Sequence, residues 1–133
     1  MDLEKINKVL INIGLIISFG FGVGHFFIPY VINWFEYIPN TPKTLVISIR
    51  WTNFFFSFVL TGYTLILLLL QKRIIHRDLV AMVFYAFLVF LWFSRIIMTL
   101  ILPWNGVYDL LFLFQLISFI AIFIILLIPL IIL

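Results

Sequence analysis

The sequence predicts an all-α fold: an integral membrane bundle of four antiparallel helices with both termini in the cytoplasm. Three observations predict it. The chain is 66% hydrophobic and only 10% charged, whereas soluble domains carry roughly a quarter charged residues. Its apolar residues come in four long blocks, not in the alternation of half-buried strands. Its lysines and arginines gather mainly before the first block and between the second and third. In 133 residues there is room for about one domain, and a single transmembrane domain over 1–133 is expected.

The first span is expected at about 9–34. Its apolar run exceeds the roughly 7–15 residues of a signal-peptide core, and no small-x-small cleavage site follows, so it reads as a retained helix. The second is the uncharged stretch 51–70, held between Arg50 and Gln71. The third, 79–102, is interrupted by Arg95, and the fourth is 107–133. Each reaches the roughly twenty residues that cross the hydrocarbon at about 1.5 Å per residue. Helices satisfy their own backbone hydrogen bonds in lipid, which an open sheet cannot.

The links are short. "EYIPNTPKT" carries Pro39 and Pro42, "QKRIIHRD" follows the second span, and "PWNG" has Pro103 and an Asn105-Gly106 turn signal. Short links make successive helices antiparallel neighbours. Lys5, Lys8, Lys72, Arg73 and Arg77 fall on one side, Lys43 and Arg50 on the other. Five against two places the termini inside, because cytoplasmic links carry the basic excess. Lys72, Arg73 and Arg77 then anchor the chain on anionic headgroups of the inner leaflet. The expected location is a bacterial or archaeal cytoplasmic membrane.

With that threading, the ionisable groups in or near the membrane fall in the outer half: His25, Glu36, Arg50, Arg95 and Asp109, with Asn53 beside them. The tryptophans Trp34, Trp51, Trp92 and Trp104 lie there too. Trp34, Trp51 and Trp104 fit an interfacial aromatic belt; Trp92 is deeper, near Arg95. An arginine within an apolar helix costs several kcal/mol unless it is paired or reaches the interface. Arg95 has both routes open: snorkelling, or a pair with Glu36 or Asp109, whose carboxylate suits a planar guanidinium.

Polar residues also recur at helical spacing. Arg50, Asn53, Ser57, Thr61 and Thr64 share one face of the second span. On the first span Gly14, Ser18 and Gly22 are four apart, and Gly20 and Gly24 form a second small pair. Small residues let another backbone approach closely. Pro29 stands four residues after His25, where its ring meets the His25 carbonyl and kinks the helix. His25 is either an interhelical hydrogen-bonding group or a ligand- or proton-handling one, with an ordinary pKa of about 6.5.

Much chemistry is not encoded. With no cysteine there is no disulfide, thiol catalysis or thiolate metal site. No HExxH, acidic metal cluster, Ser-His-Asp set, phosphate loop or dinucleotide fingerprint occurs. His25 and His76 are expected on opposite sides of the membrane, which excludes bis-histidine haem ligation within one chain. The longest basic patch, "KRIIHR", is too short for a nucleic-acid arm. No catalytic set and no metal site is expected, and the residues name no cofactor.

Residues 24–42, "GHFFIPYVINWFEYIPNTP", resemble a pattern of small four-helix membrane proteins of the DoxX-like group through Gly24, His25, Phe26, Pro29, Ile38 and Pro39. The resemblance implies a four-helix membrane fold, and some members of that group look like subunits of redox or quinone-linked systems. The second span departs from the pattern. It reads "ISIRWTNFFFSF", with Arg50 and Asn53 in place of an early small pair and glutamate.

Three functions follow as expectations. The first is binding of a lipid or quinone-like ligand in an outer-half polar cavity formed by His25, Asn53, Trp92 and Arg95, with Glu36, Arg50 and Asp109 in the surrounding network. The second is an accessory subunit, or a homo-oligomer, packed through the 14–24 face. The third is an oligomeric transporter or channel component. Membrane lipids are the expected surroundings in every case.

Overall fold

The computed structural model describes residues 3–37, 39–103 and 109–132. Ile38, Trp104, the Asn105-Gly106 turn signal and the ends 107–108 and 133 of the fourth expected span lie outside them. Six α-helices are described: α1 (Leu3–His25), α2 (Ile28–Val31), α3 (Lys43–Leu69), α4 (Gln71–Ile75), α5 (Leu79–Ile101) and α6 (Leu110–Ile132). A single 3-10 turn, Trp34–Tyr37, follows α2. The four long helices α1, α3, α5 and α6 are each long and apolar enough to cross a membrane. The protein is a small, all-α, multi-pass integral membrane protein.

The observed helix ends differ from the apolar boundaries for definable reasons. α1 stops at His25, well before residue 34. Pro29 has no N–H for the His25 carbonyl, and its ring crowds that oxygen. The chain restarts as α2 with Pro29 in its first turn, and Pro29 is buried. Asn33 then takes a left-handed φ of 50°, a conformation asparagine tolerates better than most residues. α3 begins at Lys43, directly after Pro42, and not at residue 51. Hydropathy marks where lipid begins. It does not mark where the helix does, and the first turns of α3 are amphiphilic, with Lys43 and Arg50 exposed.

α3 to α5 is a compact double turn. Arg77 adopts φ 58°, Asp78 N–H donates to the Arg73 carbonyl (2.9 Å), and Arg77 N–H donates to the Ile74 carbonyl (3.0 Å). This is a Schellman ending with an arginine where glycine is usual. Asp78 immediately caps α5, its carboxylate accepting the Ala81 N–H at 3.0 Å. Ile74 is fully buried while Lys72, Arg73 and Arg77 are exposed, so α4 seals that end of the bundle with its apolar side.

In lipid there is little hydrophobic force between helices, so packing and interhelical hydrogen bonds hold the bundle. Among the described residues, four side chains supply such bonds between long helices. Trp92 Nε1 of α5 donates to Ser18 Oγ of α1 (2.9 Å). The Tyr85 hydroxyl of α5 donates to the Leu126 carbonyl of α6 (2.8 Å). Asn53 Nδ2 of α3 donates to the His25 carbonyl of α1 (3.0 Å). The Tyr63 hydroxyl of α3 donates to the Phe84 carbonyl of α5. The Leu126 carbonyl lies in the turn before the buried Pro129, which has no N–H and loosens the helix there.

Where α1 meets α6, close approach holds the pair. A Cβ on Gly14 would stand 2.5 Å from Leu126 Cδ2, and one on Gly22 would stand 2.8 Å from the Thr61 backbone nitrogen of α3. The stripe Gly14, Ser18, Gly22 thus meets α6, α5 and α3 in turn. Gly20 and Gly24 are exposed, and a Cβ on either would meet nothing within 4 Å. The buried core, with Ile11, Leu15, Leu67, Tyr85, Leu88 and Leu126 at its heart, fills the end of the bundle nearer the termini. Outward faces are covered by apolar side chains such as Leu69 and Phe114, the expected surface when the solvent is hydrocarbon.

Candidate functional site

The other end of the bundle is not filled. A cavity of about 640 Å³ lies among the C-terminal end of α1, the α2 region, the N-terminal half of α3, Arg95 of α5 and the first turns of α6. Its walls are mostly apolar, with Phe21, Ile49, Phe56 and Phe119 prominent. Leu45, Phe56, Leu111 and Phe114 line it and are also exposed, so it opens sideways between α3 and α6. A few convergent polar groups in an apolar concavity is the usual form of a small-molecule site.

The break in α1 creates this space. Because α1 ends at His25, the chain continues at this level as the short α2 and the 3-10 turn, and Ile28, Ile32 and Trp34 form part of the wall. The Asn53 amide fills the orphaned His25 carbonyl, and Ser57 Oγ donates back to the Asn53 carbonyl at 2.6 Å. The His25 ring stands edge-on to Phe56, centroids 5.1 Å apart. Its Nδ1 is buried without a hydrogen-bond partner among the described residues.

Arg95 is the cation of the cavity. Its guanidinium carbon lies 5.2 Å from the centre of the Phe119 ring, a cation–π contact. Among the described residues it makes no ion pair with a carboxylate. Glu36 is exposed on the 3-10 turn, and Asp109 is spent on α6, where its Oδ1 accepts the Phe112 N–H at 2.9 Å. Neither lines the cavity, and among the described residues no acidic side chain does.

Of the residues singled out in the sequence, the structure brings His25, Asn53 and Arg95 to one cavity. Trp92 stands behind its wall. It is buried, bonded to Ser18 and packed edge-on against Phe21 (5.4 Å) and tilted against Phe119 (5.6 Å), both of which face the cavity. Arg50 is elsewhere, over the Phe35 ring at 4.4 Å. Trp34 lines the cavity, whereas Trp51 is exposed.

Sequence reading passed over Gln115 and Ser118, which join Ser48 and Thr52 in the lining. The signal existed. Leu111, Gln115, Ser118 and Phe119 share a face of α6, and Gln115 and Ser118 are isolated polar residues in a very apolar helix. Ser48 and Thr52 were hidden because each also closes a local bond within α3, to the Thr44 and Ser48 carbonyls.

The chain matches no family model, no curated protein and no solved structure. What defines it is the architecture: an all-α, multi-pass membrane protein with a laterally open, arginine-bearing cavity at one end.

Proposed function

We propose that this protein binds a lipid or quinone-like amphiphile in the cavity, taken up sideways from the bilayer between α3 and α6. The observation that carries the reading is Arg95, a guanidinium lining an apolar chamber with no described carboxylate to neutralise it. Such a group in a membrane is a functional-site hypothesis by default. The chamber's volume falls within the range of ordinary ligand pockets.

The orientation belongs to the same proposal. The long helices alternate in direction, supported by Gly22 meeting Thr61 while His25 meets Asn53. The basic excess at Lys5, Lys8, Lys72, Arg73 and Arg77 puts both termini in the cytoplasm, so the cavity faces the outer leaflet. The DoxX-like pattern of residues 24–42 supports a bacterial or archaeal membrane and a small auxiliary role.

A second reading, packing against a membrane partner or a second copy, draws support from Gly20 and Gly24. They leave a strip of α1 where another backbone can come close. Gly14 and Gly22 cannot serve it, because they are consumed within the bundle.

Purification in lipid nanodiscs followed by extraction and mass spectrometry tests the binding reading. The expected result is an amphiphile enriched over the surrounding lipid and lost from Ser118→Trp, a variant that fills the cavity with the fold retained. Identical lipid recovery from both proteins would overturn it.

A further inference from the structure

We infer that the cavity selects an amphiphile with an anionic oxygen headgroup, a carboxylate or a phosphate, and that the Arg95 guanidinium is what reads the charge. This rests on the reading of the cavity as an amphiphile site and adds the chemical class of its occupant.

Charge is the first argument. Among the described lining residues Arg95 is the only Lys, Arg, Asp or Glu side chain. Glu36 is exposed outside the cavity and Asp109 caps α6, so no described carboxylate offsets the field inside. In a low-dielectric chamber that field acts at several ångströms with little screening. It favours an anion, disfavours a cation, and gives a neutral head nothing to compensate the guanidinium.

Hydrogen bonding is the second. A guanidinium carries five N–H donors in a fixed fork and no acceptor. Arg95 gives no hydrogen bond to a described protein acceptor; its guanidinium lies against the Phe119 ring. Ring stacking holds the group without using the fork, and two parallel N–H bonds to one carboxylate or phosphate are the strongest use of it. Gln115 of α6 adds a neutral amide to the lining, and Ser118, whose hydroxyl donates to the Phe114 carbonyl (2.8 Å), adds an acceptor oxygen.

Shape is the third. Arg95, Asn53 and His25 are half-buried, while the exposed lining is mostly apolar, Leu45, Phe56, Leu111 and Phe114, with the hydroxyls of Ser48 and Thr52 turned to carbonyls of their own helix. A head bound at Arg95 therefore leaves its chain running out through apolar walls into the bilayer. A soluble oxyanion would satisfy the fork equally well but would leave those walls uncovered.

The test uses full-length protein in phosphatidylcholine nanodiscs and a fluorescent fatty acid as the probe. Competitors are palmitate, lysophosphatidate, hexadecanol and inorganic phosphate. The expected result is that palmitate and lysophosphatidate displace the probe at least ten times more effectively than hexadecanol. Arg95→Gln erases that preference, Arg95→Lys keeps part of it, and inorganic phosphate at millimolar concentration displaces nothing. Hexadecanol competing as well as palmitate, or a preference unchanged in Arg95→Gln, would overturn the anion assignment while leaving the cavity a neutral-amphiphile site. Displacement by inorganic phosphate would overturn the lipid source and keep the oxyanion chemistry. Probe binding that is unaffected by Ser118→Trp would instead remove the underlying site.

Discussion

At the scale of single residues, the structure turns on one carbonyl. Pro29 denies the His25 oxygen its helical donor, and Asn53 supplies a replacement from the neighbouring helix at 3.0 Å. The conflict between Pro29 and His25 was readable from a spacing of four, because it is local. The remedy was not, because Asn53 lies 28 residues away and its rotamer depends on how two helices meet. The arrangement predicts a coupling. Asn53→Ala leaves a carbonyl unsatisfied in an apolar setting and is expected to lower stability by about 1–2 kcal/mol. Pro29→Ala returns a backbone N–H to the His25 carbonyl, so the Asn53→Ala penalty shrinks in its presence. A double-mutant cycle on reversible unfolding in mixed micelles reads this directly; additive penalties would show that the two residues do not share the carbonyl. Arg95 was legible for a different reason. A charge in an apolar run is costly wherever the helix is placed, so the sequence flags it without any knowledge of its neighbours. Which neighbours it meets, Phe119 and not a carboxylate, is a matter of helix rotation that spacing alone leaves open.

At the scale of elements, the four apolar blocks corresponded to the four long helices because lipid imposes one requirement on each of them: enough uninterrupted apolar length with its own hydrogen bonds satisfied. Helix ends were less legible, since α3 is already helical from Lys43, ahead of the uncharged run that starts at Trp51, and Pro29 stops α1 within an apolar run. Helix faces were partly legible. The small residues of α1 read as one packing surface, yet they divide into an inner set and an outer set. The distinction depends on rotation about the α1 axis, and it makes opposite predictions for two glycines two residues apart. Gly22→Ala drives a methyl against Thr61, onto its Oγ1 and also onto its backbone nitrogen and Cα, which cannot yield by a rotamer change. It is expected to cost about 1–3 kcal/mol and to lower the unfolding temperature in detergent. Gly20→Ala meets nothing. It is expected to be neutral or to stabilise by up to about 1 kcal/mol, through helix propensity alone. Equal effects at the two positions would mean that α1 is rotated from the arrangement described.

At the scale of the whole molecule, the orientation that the basic residues predict also predicts the leaflet toward which the cavity opens. The basic residues near the N-terminus and in the α3–α5 link outnumber those in the first turns of α3, and the bias acts through short links of this kind. The cavity is built from the end of α1 and the start of α3, so its mouth lies on the side of the membrane where Lys43 and Arg50 emerge. If the termini are inside, the mouth is presented to the outer leaflet, and the inner half is closed by Ile74, Tyr85 and the buried aliphatic layer. A through-pore in a single copy is then disfavoured, while an outward-facing binding chamber is favoured. The absence of native cysteine makes the orientation directly measurable. Single cysteines at Leu3, Asn40, Thr44 and His76 fall at exposed positions outside the cavity lining and leave every lysine and arginine in place. With a membrane-impermeant maleimide on intact cells, Asn40→Cys and Thr44→Cys are expected to label. Leu3→Cys and His76→Cys are expected to label only after permeabilisation. The reverse pattern would turn the mouth toward the inner leaflet. Partial labelling at all four sites would show that five basic residues against two do not suffice to fix a single orientation, and that copies of this chain present the chamber to both leaflets.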